Sequence, residues 1–150
     1  MEISPLEKAR RQAFRLLSLR ARSEKEIRER LTTKHSGEIA AEVIRQLQDE
    51  GFLNDEAFAR ERARQLAVGR LEGNRAIEAD LLRKGIDRSI ITGAIQAARE
   101  ELSEPEAIRK LLLKREHPSL PQDRSWMQKT GRYLLSKGFS TGLIFEVLNE

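Results

Sequence analysis

The chain has 150 residues, of which 39% are hydrophobic and 35% charged, with a formal net charge of +4. It contains no cysteine, which excludes disulfides and thiolate metal sites and permits a reducing cytoplasmic setting. With five Phe, one Trp and one Tyr, apolar surface is expected as narrow stripes on helices with wide charged faces.

No apolar run approaches the length of a membrane span, and Met1–Pro5 lacks a signal-peptide core, so a soluble cytoplasmic protein is expected. Charge is uneven along the chain. Pro5 to Lys34 holds ten Lys or Arg and four Glu, whereas His35 to Val68 holds four Arg and seven acids. The basic N-terminal part points to an anionic partner.

The first predicted helix starts at Pro5, a good first-turn residue, and carries Ala9, Ala13, Leu16 and Leu17 on one stripe. Ser23 and Glu26 form a capping box before Ile27 and Leu31. A third helix is expected from Glu38 to Glu50, stopped by Gly51. Asn54 or Asp55 caps a fourth helix running to about Val68, and Phe52 or Leu53 can staple against Phe58. Gly69–Asn74 reads as a linker. Arg75–Lys84 is helical and stops at Gly85, and Asp87 caps the next helix to about Glu101.

Ser103-Glu104-Pro105-Glu106 opens a seventh helix, and two prolines make His117–Pro121 a loop. Ser125–Ser136 is helical and ends at Gly138, and Ser140 or Thr141 caps the last helix. Trp126 and Tyr133, seven apart, share a helix face and read as core residues. No segment alternates as a strand does.

The helices repeat. Leu82-Arg83-Lys84-Gly85-Ile86 returns as Leu135-Ser136-Lys137-Gly138-Phe139, and Leu31 is expected to sit where Leu82 does. A period near fifty gives three units, residues 1–53, 54–102 and 103–150. The expected fold is all-α: three tandem three-helix, helix-turn-helix-like repeats in an elongated, curved array. Gly51, Phe52, Asn54, Asp55, Phe58, Gly85 and Gly138 are the expected structural residues of the repeat junctions.

Catalysis is poorly supported. His35 and His117 both fall in predicted loops, no metal motif or phosphate loop occurs, and acid pairs such as Glu100-Glu101 splay around their helix. No cofactor or metal is expected. Arg11, Arg15, Arg22, Lys25 and Arg28 recur at helical spacings, with Arg70, Arg75 and Lys84 in the second unit, and are the expected contacts with an anionic partner such as DNA phosphate. One aromatic, Phe14, in the basic segment makes base stacking a poor fit, so any contact with single- or double-stranded DNA should be to the phosphate backbone.

Several stretches together resemble the RecX family, bacterial regulators of the RecA recombinase. They are Ala13–Leu17 with Ser23–Leu31, Gly51–Ala59, Ile77–Ile86 and Lys137–Phe139, of which Gly51–Phe58 is the most specific. The linker Arg70–Asn74 is less basic and less glycine-rich than the family pattern, and Glu116–Asp123 is idiosyncratic. The resemblance implies tandem three-helix repeats and a non-enzymatic monomer that binds RecA and lies along its nucleoprotein filament. It implies reduced ATPase, strand-exchange and co-protease activity, and so modulation of DNA repair, homologous recombination and the SOS response. The alternative is a sequence-nonspecific nucleic-acid-binding helical protein with no recombinase partner.

Overall fold

The computed structural model describes residues 2–115 and 123–150, so the predicted loop His117–Pro121 lies outside the described residues. Among the described residues the chain is all-α, with helices α1 Pro5–Leu19, α2 Glu24–Leu31, α3 Gly37–Asp49, α4 Asp55–Arg64, α5 Asn74–Arg83, α6 Arg88–Glu101, α7 Glu104–Arg115, α8 Arg124–Ser136 and α9 Thr141–Leu148. Short polar side chains begin most of them. Ser4, Ser23, Ser36, Asn54, Asp123 and Ser140 each accept a backbone N–H three residues ahead, and Asp87 accepts from Ser89. The Ser23–Glu26 box is closed in both directions, and Ser23 is fully buried.

Each unit folds its helices around its own apolar cluster. Ala9, Ala13, Ile27, Leu31, Val43 and Leu47 are among the first. Phe58, Leu66, Ile77, Leu81, Ile86 and Ile91 belong to the second. Leu111, Leu134, Phe139, Ile144 and Val147 belong to the third, with Tyr133 packed against it. The accessible surface is 9456 Å², against about 7,800 Å² expected for a compact monomer of this mass, which fits separate units in an open array.

Three glycines close helix ends, Gly51 that of α3 and Gly85 and Gly138 those of the middle helices α5 and α8. Gly51, Gly85 and Gly138 have φ of +80°, +75° and +98°. The residue after each donates to a carbonyl five back: Phe52 to Leu47, Ile86 to Leu81 and Phe139 to Leu134. This is the Schellman end, which needs a left-handed residue.

The register of the first repeat differs from expectation by one residue. Leu31 and Leu81 are both fully buried, whereas Leu82 is 36% exposed, so Leu31 corresponds to Leu81. The middle helices α2 and α5 are therefore related by a shift of 50, and α5 and α8 by 53. The staple expected at Phe58 is also replaced. Phe52 meets Phe14 edge-on at 5.2 Å between ring centres, and Leu53 joins the first core.

The fourth helix does reach the Val68 region, but its last turn is a π-turn over Gln65–Gly69. The widened turn buries Leu66 and Ala67 and ends at Gly69, and Leu71, two residues on, has φ +56°. A left-handed leucine costs about 1–2 kcal/mol. Burying its side chain in the third core returns about 1.5–3 kcal/mol, enough to hold it there.

Candidate interaction surfaces

Two joints connect the three units, and they share one device. At the first, the Asp55 carboxylate, on the first residue of α4, accepts the backbone N–H of Glu24 at 2.8 Å. At the second, the Glu104 carboxylate, on the first residue of α7, accepts the N–H of Asn74 at 3.1 Å. Each thus satisfies a free donor at the start of the middle helix of the preceding unit. Burial pushes the Asp55 carboxyl above its ordinary range, and the bond from Glu24 offsets this only in part.

The rest of each joint differs. At the first, the Gly85 turn sits on the Lys25 side chain, and Lys25 Nζ donates to the Arg83 carbonyl at 3.1 Å. At the second, main chain meets main chain: Gly73 N–H donates to Lys137 O at 2.7 Å and Arg75 N–H to Gly138 O at 3.1 Å. Lys137 Nζ adds a bond to the Arg70 carbonyl at 2.8 Å. The half-buried Arg99 guanidinium ties the segment down through Asn74 Oδ1 at 2.7 Å and the Glu72 carbonyl at 2.7 Å. Val68, Leu71 and Leu102 pack into the third core across this joint.

The sequence-predicted cations divide by partner. Arg11 pairs with Glu7 at 3.4 Å, Arg28 with Glu24 at 2.7 Å and Lys84 with Asp80 at 3.1 Å. Lys25 lies 3.9 Å from Glu29 besides its bond across the joint. Arg22 reaches the Leu16 carbonyl at 3.4 Å, and burial followed by the nearby Arg20 lowers its pKa. Arg15, Arg70 and Arg75 are exposed and have no carboxylate partner among the described residues. An unpaired guanidinium reaches a phosphate or carboxylate without first breaking an internal pair.

Among the junction residues, Gly85 and Gly138 touch the preceding unit, Asp55 caps it, and Asn54 caps its own α4. Gly51 faces open space and serves as the end of α3.

One ion cluster has no local sequence signal. Asp80 accepts from Arg62 Nε and Nη2, both at 3.0 Å, and from Lys84 Nζ at 3.1 Å. Arg62 lies on α4 and Asp80 on α5, 18 residues apart, so only the packed pair brings them together. Burial alone would raise the Asp80 carboxyl, but the bonds from Arg62 and Lys84 outweigh it and hold it low. Beside this cluster, Arg20, Glu26, Phe58, Glu61, Arg62 and Lys84 line an open cleft of about 350 Å³ between the first two units. Its charges are mixed in sign, with Arg20 paired to Glu26 at 2.7 Å and Arg62 and Lys84 held by Asp80, unlike a site that gathers titratable groups for proton transfer. His35 hydrogen-bonds Gln12 at 3.2 Å. Among the described residues no cluster of His, Asp or Glu could hold a metal ion, and no helix is long and apolar enough to cross a membrane.

Comparison with known proteins follows the three units in order. Residues 9–47 match the model of the RecX first three-helix domain, 54–95 the second and 103–148 the third. The chain is 38% identical to a regulatory protein RecX of Syntrophotalea carbinolica, over 92% of each chain. It is 34% identical to one of Mycolicibacterium vanbaalenii, over 95% of this chain and 81% of that one. The fold is similar to the crystal structure of RecX from Lactobacillus salivarius, with a TM-score of 0.79 and 26% identity over 97% of this chain and 95% of that chain.

Proposed function

We propose, because this chain belongs to the RecX family of regulatory proteins, that it binds the RecA recombinase and its nucleoprotein filament and lowers RecA activity. The supporting observation is the in-order match of all three three-helix domains across nearly the whole chain. The activities lowered are ATPase, strand exchange and co-protease, and through them DNA repair, homologous recombination and the SOS response in the cytoplasm. The protein does this as a monomer, by occupying surface, with no chemistry or cofactor of its own.

The physical argument is one of shape and charge. An open row of units exposes a long surface to a partner that is itself long. In this reading Arg15, Arg70 and Arg75 make the stronger contacts with acidic filament surface or DNA phosphate. Arg11, Arg22, Lys25, Arg28 and Lys84, already engaged internally, add to the local field.

The test is the DNA-dependent ATPase of RecA filaments on single-stranded DNA, titrated with this protein. Inhibition at a level well below that of RecA supports the reading. No inhibition at an excess over RecA, with DNA binding that falls steeply with salt, replaces it with plain nucleic-acid binding.

A further inference from the structure

We infer that the outer face of α8, lined by Met127, Gln128, Gly131, Arg132 and Leu135, is a docking groove for an acidic protein segment carrying an apolar anchor. All five residues lie on α8, and among the described residues nothing covers this shallow face.

The repeat assigns this face a role. Met127 and Gln128 stand 53 residues after Asn74 and Arg75, and these stand 50 after Glu24 and Lys25. In the first unit, Glu24 and Lys25 receive the second unit. In the second, Asn74 and Arg75 receive the third. The same face of the third unit is the next position in the series, and among the described residues nothing covers it.

Its chemistry has changed from that of its counterparts. Glu24, Glu29 and Glu78 in the earlier units correspond to Met127, Arg132 and Gly131. Met127, Gly131 and Leu135 recur every four residues, which lays an apolar strip along one helix face, and Leu135 is 42% exposed. Arg132 lines the strip, Arg124 stands one turn before Met127 on the same face, and α8 carries no carboxylate. A cationic rim around an apolar strip matches a segment of opposite charge with an apolar side chain to bury. No aromatic ring lines the groove for bases to stack on, which favours protein over nucleic acid.

A second copy of this chain does not fit. The docking carboxylates Asp55 and Glu104 correspond to Pro5 in the first unit, and Gly85 corresponds to His35. The backbone device is closed as well, because α8 starts one turn earlier and the Met127 N–H already donates to the Asp123 carbonyl at 3.0 Å.

The inference rests on the RecA reading for its first probe only. Binding of the full chain to RecA filaments on single-stranded DNA is compared for wild type, Leu135→Glu and Gly131→Gln. A side chain at Gly131 meets nothing within 4 Å, and glutamine is the better helix former, so that variant fills the groove without unfolding the protein. Each variant is expected to bind about tenfold more weakly or worse. Wild-type binding by both variants overturns the inference and leaves the RecA reading standing; absence of binding by wild type overturns the RecA reading.

A second probe is independent of RecA: a helical peptide of Glu and Leu, with Leu at every fourth position, titrated into the ¹⁵N-labelled chain. Amide shifts centred on 127–135 support the groove, and their absence there overturns it. Equal shifts at those amides with a single-stranded oligonucleotide overturn the assignment to protein.

Discussion

The Asp55 carboxylate caps the Glu24 N–H at 2.8 Å, so a residue that begins one unit completes the helix of the unit before it. Glu104 does the same for Asn74 at 3.1 Å, which makes the contact a repeated joint and not a local accident. Asp55→Ala is expected to lower stability by about 1 kcal/mol, as loss of a helix cap does, with Asp55→Asn closer to wild type. Chemical denaturation of the three proteins checks this.

The same carboxyl sets a pH slope. Its raised pKa means the folded state holds this proton more tightly than the unfolded chain. Its contribution to stability therefore falls as pH rises from the ordinary aspartate value, about 3.9, through the raised folded value. Asp80 has the opposite sign. Its lowered pKa contributes stability above the ordinary value, and that contribution is lost as pH falls through the folded one. Asp80→Asn strands Arg62 and Lys84, which are about a fifth exposed, and is expected to lose about 2 kcal/mol near neutral pH. Unfolding free energies measured against pH should show the acid-side slope reduced in Asp80→Asn. In Asp55→Asn the slope of opposite sign should be absent.

The three left-handed glycines should form a graded series. Gly51→Ala meets open space and carries the backbone term alone, about 1–2 kcal/mol. At Gly85 the new Cβ lies 2.7 Å from both the Lys25 Cβ and Cδ, of which only the Cδ can swing away. At Gly138 it lies 2.5 Å from the Ala76 Cβ and 2.6 Å from its backbone nitrogen, which cannot. Thermal unfolding is expected to rank the losses Gly51→Ala below Gly85→Ala below Gly138→Ala. An equal loss at all three positions would contradict the assigned joint contacts.

Charge reversal separates surface from scaffold. Arg15→Glu, Arg70→Glu and Arg75→Glu are expected to weaken binding to RecA filaments and flatten its salt dependence without lowering the unfolding midpoint. Arg28→Glu also breaks the pair with Glu24 beside the first joint, so it is expected to lower the midpoint as well. Salt titrations of binding, run alongside thermal melts, distinguish the two groups.

Local chemistry made the helices legible in the sequence. Pro5, the Ser23–Glu26 box, Asp87 and the Lys-Gly turns mark ends through contacts within a few residues. The register of the first unit was harder, because Leu81 and Leu82 are both leucine and only packing shows which one faces inward. The π-turn at Gln65–Gly69 and the left-handed Leu71 had no signal, since tertiary burial holds a leucine where local preference asks for glycine. The same holds for the candidate surfaces. The spacing of Arg15, Arg22 and Arg28 was visible, but which cations are already paired depends on partners such as Glu24 and Asp80.

The contrast between the joints has a mechanical consequence. Pulled by its two ends, the chain carries one force through both joints in series. The first is fastened by side chains: Asp55 on Glu24, and Lys25 on the Gly85 turn. The second is fastened by main-chain bonds from Gly73 and Arg75 and by leucines shared with the next core. The first joint therefore yields at lower load, and the second and third units travel on together as one stiff arm. A force–extension trace should show an early short step for the first unit before the remainder opens.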